Sequence, residues 1–336
     1  MQETKIPKIF NHAIAAAVTP ALRMRESEDF LLWQKIARAR LAVLLGMDKF
    51  TKCDPKLDIE WREEREYGEE IRITFCPEEG YRAAAHILMP KLEGKRPAVI
   101  CLQGHSKGML ISLGTPKYPG DEASIAGGRD FALQAVKEGY AAIALEQRNF
   151  GECGGTEKGP DCFESSMTAL LCGRTTIGER VWDISRLIDI LLSEFADRVD
   201  GDKIVCTGNS GGGTATFYAA CMEERIAVAL PSCAVCTYAD SIAAMRHCAC
   251  NFVPNIALDF DMGDLCGLIA PRPLSVMAGK DDPIFPLPGV ERTMEICRRV
   301  YEAAGVPDNC RLLVGGAGHQ YYPELAWPAI AEMLQQ

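Results

Sequence analysis

Short apolar runs alternate with segments of helical periodicity from about residue 71 onward, and this alternation constrains the fold more than any other feature. Residues 98–103 (Ala-Val-Ile-Cys-Leu-Gln) are continuously apolar up to their last residue, as expected for a strand buried on both faces. Similar runs recur at 140–145, 203–207, 226–230, 274–278 and 311–314. Helical spacing marks the segments between them. The pattern predicts an α/β fold, with a mostly parallel central sheet and helices on both faces.

Residues 1–65 precede this alternation, and we expect them to form an N-terminal helical extension to an α/β domain at 66–336. Ser27 is a candidate N-cap, and Phe30 to Leu45 has the character of a helix that ends at Gly46. Its apolar positions include Leu32, Ile36, Leu41 and Leu44. A lone helix of this length is marginal in water, so it must dock on the α/β domain or on a second subunit.

The composition excludes several classes of partner. A formal net charge of −10 disfavours nucleic acid and anionic membrane surfaces, and no stretch of 18 apolar residues predicts a membrane span. The 15 cysteines are odd in number and dispersed, which is untypical of a disulfide framework and favours a reduced, cytoplasmic protein. The alternative is a signal peptide around residues 13–19, which follow Lys5 and Lys8 but are short and weakly apolar.

Gly208-Asn209-Ser210-Gly211-Gly212 matches the pattern G-x-S-x-G. An apolar run precedes the motif and a helical segment follows it, which is the strand–turn–helix context that a nucleophile elbow requires. The alternatives are a phosphate-binding loop and an ordinary tight turn. We predict that Ser210 is the nucleophile of a serine hydrolase.

A serine hydroxyl needs a positioned base, and His319 follows the last apolar run in a glycine-rich loop. The acid of such a triad comes between the serine and the histidine in chain order. Asp281 and Asp282 both follow the run 274–278. We favour Asp282, because Pro283 follows it directly in a rigid turn, and Asp281 is the alternative.

An oxyanion hole requires two donors, usually backbone amides. The Gly211 amide, directly after the nucleophile, is one candidate. The His105 amide, in the turn Gln103-Gly104-His105-Ser106 after the strand 98–103, is the other.

Cysteine and histidine residues are concentrated at 233–250, where Cys233, Cys236, His247, Cys248 and Cys250 occur. Their spacing admits a zinc site. A lid or a wall of the substrate pocket is the interpretation we favour, because a hydrolase triad needs no metal. We therefore expect neither a metal nor another cofactor.

These motifs together resemble the acetyl xylan esterase-like branch of the α/β-hydrolase superfamily, which is related to dienelactone hydrolases and cephalosporin-C deacetylases. The resemblance covers about residues 66–330. It is carried by the Gln103 turn, Gln147-Arg148-Asn149-Phe150-Gly151-Glu152, Trp182-Asp183, the Ser210 motif, His247-Cys248-Ala-Cys-Asn-Phe-Val-Pro, Ile269-Ala-Pro-Arg-Pro-Leu and Gly318-His319. Two positions depart from the pattern: Gln103 stands where His is usual, and Gly211 where the cephalosporin-C deacetylases favour Gln.

The resemblance implies a serine esterase that acts on a small ester, such as an acetylated carbohydrate, without a cofactor. It also implies association into a homo-oligomer. A peptidase or a C–C bond hydrolase on the same triad is an alternative, as is a catalytically silent ligand-binding module on this fold.

Overall fold

One twisted sheet forms the centre of the protein, and the computed structural model describes it within residues 3–25 and 28–335. The described strands are β1 (Asp58–Arg65), β2 (Gly68–Glu78), β3 (Tyr81–Pro90), β4 (Arg96–Leu102), β5 (Ala141–Leu145), β6 (Val199–Asn209), β7 (Ile226–Ser232), β8 (Leu274–Gly279) and β9 (Cys310–Gly315). They pair in the order β1-β2-β3-β5-β4-β6-β7-β8-β9.

The strand pairing changes once across the sheet, from antiparallel to parallel. The pairs β1/β2, β2/β3 and β3/β5 are antiparallel, whereas every pair from β5/β4 to β8/β9 is parallel. The carboxyl ends of the parallel strands therefore meet at one edge, where open α/β sheets bind their ligands. The predicted mostly parallel sheet is confirmed.

Helices cover both faces of this sheet. They are α1 (Pro7–Ala17), α2 (Phe30–Leu45), α3 (Asp121–Ser124), α4 (Phe131–Lys137), α5 (Phe163–Leu171), α6 (Thr176–Glu194), α7 (Gly211–Met222), α8 (Ile256–Asp259), α9 (Met262–Leu265), α10 (Leu287–Ala303) and α11 (Pro323–Met333). None of the helices described is long and apolar enough to cross a membrane.

The alternation of side chains along each strand divides the core between the two faces. Ile100 and Ile204 lie in the larger cluster, together with apolar residues of α2, α6, α7 and α10. Their neighbours Val99 and Val205 lie in the second cluster, with α4 and α11. Both faces are thus fully covered, which explains why these strands are continuously apolar in sequence.

Helix α2 docks on the α/β domain of its own chain. Asp29 caps it by accepting a hydrogen bond from the Leu32 amide, and Gly46 ends it with φ of 74°; Ser27, the candidate cap, lies outside the described residues. The side chain of Gln34 donates to the carbonyls of Gly267 and Ala270 at 2.7 and 2.6 Å.

The buried face of α2 includes only some of its apolar positions. Leu41 and Leu44 are buried, together with Trp33 and Ala37, but Leu32 and Ile36 are 60% and 51% exposed. Apolar residues lie on more than one side of α2, and the surface on which the helix packs determines which of them are buried.

Strand β1 begins the sheet within the charged stretch that precedes residue 66. It pairs with β2 at the edge of the sheet, and its side chains are mostly exposed. Charged edge strands resist pairing with other chains. Only Ile59 and Trp61 of its eight residues are apolar, so the alternation that marks a strand in a sequence is too short here to predict it.

Candidate active site

Ser210 lies on a sharp turn between β6 and α7. Its backbone has φ of 55° and ψ of −119°, a strained conformation for a residue with a Cβ atom. The turn requires glycine on both sides: a Cβ atom on Gly208 or Gly212 would lie 2.6 or 2.0 Å from the carbonyl oxygen of Leu102. The turn presents Ser210, half-buried, at the carboxyl edge of the parallel strands.

His319 and Asp282 come from the loops that follow β9 and β8. The Nδ1 atom of His319 lies 2.8 Å from Asp282 Oδ2. Asp282 is buried, whereas Asp281 is exposed. The other carboxylate oxygen of Asp282 accepts hydrogen bonds from the amides of Ile284 and Phe285 at 2.8 and 3.1 Å.

These contacts set the charge of the carboxylate. Burial acts to raise the pKa of Asp282, but the hydrogen bond with His319 and the two backbone amides outweigh it, so the pKa lies below its ordinary value. Asp282 is therefore ionised near neutral pH and can hold the Nδ1–H tautomer of His319. The ring of Phe285 stacks on the imidazole, with 6.0 Å between centroids.

The turn after β4 packs directly on the Ser210 turn. A Cβ atom on Gly104 would lie 2.6 Å from the Asn209 carbonyl and 3.0 Å from Ser210 Cβ, and one on Gly211 would lie 2.8 Å from the His105 ring. Gly211 is also the first residue of α7, where amides have no acceptor within the helix. The geometry thus brings both candidate oxyanion donors beside the serine.

Gln103, the first residue of the turn after β4, is tied into the same region. Its side-chain amide donates to Ser112 Oγ at 2.7 Å and to the Arg129 carbonyl at 2.6 Å. Its backbone carbonyl accepts a hydrogen bond from the Gln147 side chain. Gln103 therefore fixes the turn by hydrogen bonds from its amide group.

A cavity of about 450 Å³ opens over these residues. Ser210, His319 and His105 lie in its wall, and the other lining residues include Gly104, Arg129, Pro160, Arg246, His247, Cys248, Asn251, Ile284 and Phe285. The segment around His247 thus borders the cavity. Burial lowers the pKa of His247 to about 4, aided by the nearby His105 and His319, so its ring is neutral at pH 7.

The cysteines of the 233–250 segment do not all meet at one place. Cys233 lies near Asp282 and His319, and Cys236 contacts the Pro286 carbonyl. Cys248 and Cys250 instead meet His105 and Cys162, and the four potential ligand atoms all lie within 4.8 Å of one another. We refer to His105, Cys162, Cys248 and Cys250 as the cysteine–histidine cluster.

The close contacts within this cluster change the pKa of the Cys248 thiol. Hydrogen bonds with Cys162 and Cys250 lower the pKa of the Cys248 thiol far below its ordinary value, with a further contribution from His105. All fifteen cysteines, each within the described residues, are free thiols.

A buried ion pair explains two of the sequence motifs. Arg148 donates two hydrogen bonds to Asp183, with Nε–Oδ2 and Nη2–Oδ1 distances of 2.8 and 2.7 Å. This bidentate pair fixes the loop after β5 on helix α6. Nothing in the spacing of the two motifs predicts that they meet.

The sequence matches no model of a known protein family. YtaP of Bacillus subtilis, named as a hydrolase, is 26% identical over 248 residues, which cover 71% of this chain and 78% of the relative. A 4-O-methyl-glucuronoyl methylesterase of Phanerochaete carnosa is 34% identical over 219 residues, covering 56% of this chain and 52% of the relative. The chain therefore spans about half the length of that methylesterase.

Among solved structures, one named as an acetyl xylan esterase of Bacteroides fragilis superposes with a TM-score of 0.77 at 20% identity, covering 97% of this chain and 84% of that one. The chain has the α/β-hydrolase fold. The fold and the resemblance to acetyl xylan esterase-like proteins that the motifs predicted are confirmed.

Proposed function

We propose that this α/β-hydrolase is a serine carboxylic-ester hydrolase that removes a small acyl group, acetyl above all, from a carbohydrate. The observation that carries the proposal is the hydrogen bond between His319 and Asp282 at the cavity that also holds the strained Ser210 turn. A nucleophile, a base and an orienting carboxylate at one cavity are the requirements of acyl transfer through an acyl-enzyme.

In the proposed mechanism Ser210 Oγ attacks the ester carbonyl carbon while its proton passes to His319 Nε2. The negative charge that develops on the carbonyl oxygen is stabilised by the amides of Gly211 and His105. The bond to the alcohol oxygen then breaks, and His319 returns the proton to that oxygen. Asp282 holds the imidazole in the required tautomer and stabilises the imidazolium that forms in each step.

Water completes the cycle. It attacks the acyl carbon, giving its proton to His319 Nε2, and the bond between the acyl carbon and Ser210 Oγ breaks. His319 then returns the proton to Ser210, and the carboxylic acid leaves. Ser210 and His319 thus return to their starting protonation states, and the net reaction converts the ester and one water into the alcohol and the carboxylic acid.

The cavity supports a sugar ester as the substrate. Its volume of about 450 Å³ lies within the range of small-ligand sites, and relatives are named for esters of carbohydrates. Arg129 and Arg246 line the same cavity. Guanidinium groups suit a carbohydrate rich in oxygen acceptors and a product that carries a carboxylate.

The test compares purified wild type with Ser210→Ala on p-nitrophenyl acetate, an acetylated xylo-oligosaccharide and a methyl ester of glucuronic acid. We expect the acetyl esters to be hydrolysed, and the variant to lose about 10⁴-fold or more in kcat. A fluorophosphonate probe should label the wild type and the control Ser275→Ala, a buried serine of β8, but not Ser210→Ala.

Near wild-type turnover by Ser210→Ala would refute the assignment of the nucleophile. Labelling without hydrolysis of any ester in the panel would refute the ester substrate but leave the nucleophile in place. Turnover of the methyl ester alone would show that the substrate is a uronate ester and not an acetyl ester.

A further inference from the structure

A zinc site beside the candidate active site is indicated by the cysteine–histidine cluster. We propose that His105, Cys162, Cys248 and Cys250 bind one structural zinc ion that fixes the wall of the cavity. The four residues come from three segments: the turn after β4, the approach to α5 and the segment between β7 and α8. Their convergence is a product of the fold, because only Cys248 and Cys250 are near each other in the chain.

The distances suit a tetrahedral metal ion. The distance from Cys250 Sγ to His105 Nε2 is 3.2 Å, and the distance from Cys250 Sγ to Cys248 Sγ is 3.3 Å. All four potential ligand atoms lie within 4.8 Å of one another. With Zn–S bonds of about 2.3 Å and Zn–N bonds of about 2.0 Å, neighbouring ligands of a tetrahedron are roughly 3.5–3.8 Å apart. The two separations of 3.2 and 3.3 Å are a few tenths of an ångström shorter than these values, so small shifts of the side chains would place the ligand atoms around one ion.

The choice of zinc follows from the donor set. Three thiolates and one imidazole form a closed Cys₃His set, which is typical of structural zinc sites. Catalytic zinc sites leave one position open for water, whereas four protein ligands leave none. The proposed ion therefore takes no part in the acyl transfer.

An independent observation comes from the charge of Arg180. This arginine is 2% exposed, and its Nη1 and Nη2 atoms lie 3.6 and 3.8 Å from the sulfurs of Cys250 and Cys162. The guanidinium also lies over the Phe150 ring, 4.5 Å from its centroid. In the described part of the chain, Arg180 has no carboxylate partner at salt-bridge distance. The neighbouring Arg148 and Arg174, in contrast, both form salt bridges with carboxylates.

A buried cation without an anion is strongly unfavourable. Three neutral thiols would leave Arg180 in that state, so the cluster must carry negative charge. A single thiolate in the metal-free cluster would supply it, and so would three thiolates on a divalent zinc ion, which together carry a net charge of −1. The zinc-loaded cluster is thus compatible with the position of Arg180, and the convergence of the four ligand atoms carries the proposal.

This conclusion differs from the expectation drawn from the sequence, which favoured a pocket wall over a metal site. Both descriptions hold for Cys248, which lines the cavity and belongs to the cluster. A zinc ion would tie this wall to the turn that carries the His105 amide. The effect on catalysis rests on the proposed function, since that amide is the proposed oxyanion donor, but the metal site does not.

The experiment measures zinc by inductively coupled plasma mass spectrometry in protein purified without a metal-affinity tag. We expect about one zinc per chain in the wild type and in Ser210→Ala, and less than a tenth of that in the double variant Cys248→Ser/Cys250→Ser. The matched control is Cys297→Ser/Cys310→Ser, a buried pair of cysteines elsewhere in the fold with sulfurs 2.8 Å apart; this variant should keep its zinc.

A second measurement uses the unaltered chain, so the result does not depend on the variants folding. Wild type stripped by a chelator and reloaded with Co²⁺ should show the thiolate charge-transfer and visible bands of a tetrahedral site. The metal should also raise its melting temperature, because it binds only the folded state. Zinc content does not depend on turnover, so an inactive but zinc-loaded protein would refute only the proposed esterase activity.

The proposal would be overturned by wild type that holds no zinc and gives no cobalt bands. Zinc retained by the Cys248→Ser/Cys250→Ser protein would also overturn it, as would mass-spectrometric detection of a Cys248–Cys250 disulfide in metal-free, freshly purified protein.

Discussion

Asp282→Asn is the substitution whose outcome the geometry defines most closely. Aspartate and asparagine have the same shape, but asparagine has one acceptor oxygen where aspartate has two. In the wild type, one oxygen of Asp282 accepts hydrogen bonds from the amides of Ile284 and Phe285, and the other accepts one from His319 Nδ1. The variant cannot satisfy all three donors.

The introduced asparagine will keep its oxygen on the two backbone donors, because turning its amide group would leave two buried N–H groups facing an NH₂ group. Each unsatisfied donor costs about 1–3 kcal/mol. The NH₂ group must then face His319 Nδ1, which accepts a hydrogen bond only when the ring proton is on Nε2. That tautomer cannot take the proton of Ser210. We expect kcat to fall about 10⁴-fold, or about 5 kcal/mol in activation free energy.

Steady-state kinetics on p-nitrophenyl acetate will measure this loss, with thermal unfolding as a check that the fold is intact. Asp281→Asn is the matched control, since it makes the same chemical change one residue away at an exposed position. It should keep kcat within about twofold of the wild type, as expected of a surface substitution. An Asp282→Asn enzyme with more than a tenth of wild-type kcat, or an equal loss in Asp281→Asn, would refute the argument from the tautomer.

Three further predictions concern the stability of the fold. Trp33→Ala should lower the free energy of unfolding by about 3–5 kcal/mol, because this buried ring anchors α2. The control Leu31→Ala changes a residue that is 72% exposed and should alter the free energy of unfolding by less than about 0.5 kcal/mol. Equal effects of the two substitutions in urea titrations would show that α2 does not dock as described. Burial, with a smaller contribution from the charge of Glu152, raises the pKa of Glu146 from 4.5 to about 8, so its stabilisation of the fold is complete below pH 4.5 and is lost as the pH rises through 8. Glu146→Gln should therefore lose less stability than the wild type between pH 5 and pH 8, by up to about 1.36 kcal/mol for each pH unit, and parallel pH profiles would contradict this. Gly212→Ala should lower the free energy of unfolding by more than about 3 kcal/mol, because its Cβ atom would lie 2.0 Å from the Leu102 backbone. The control Gly127→Ala has open space around its Cβ atom and should leave the stability unchanged. A stable, active Gly212→Ala protein would disprove the close packing of the turn.

Local patterns were enough to predict the parallel strands of the sheet and the Ser210 turn. Strands such as β4 and β6 are continuously apolar because both faces of the sheet are covered, and the glycines around Ser210 are required by the approach of the Leu102 backbone. The burial of a strand and the close packing of a turn each restrict a few consecutive residues. Both constraints are therefore visible in the order of the amino acids alone.

Contacts between distant segments were decided only by the tertiary structure. Asp281 and Asp282 are adjacent and chemically identical, and the direction of the loop after β8 alone buries Asp282 against His319. Spacing grouped Cys248 and Cys250 with other nearby cysteines, whereas the fold joins them to His105 and Cys162. A hydrogen bond or a ligand set depends on positions in space, and chain spacing reports those positions only within a single turn or strand.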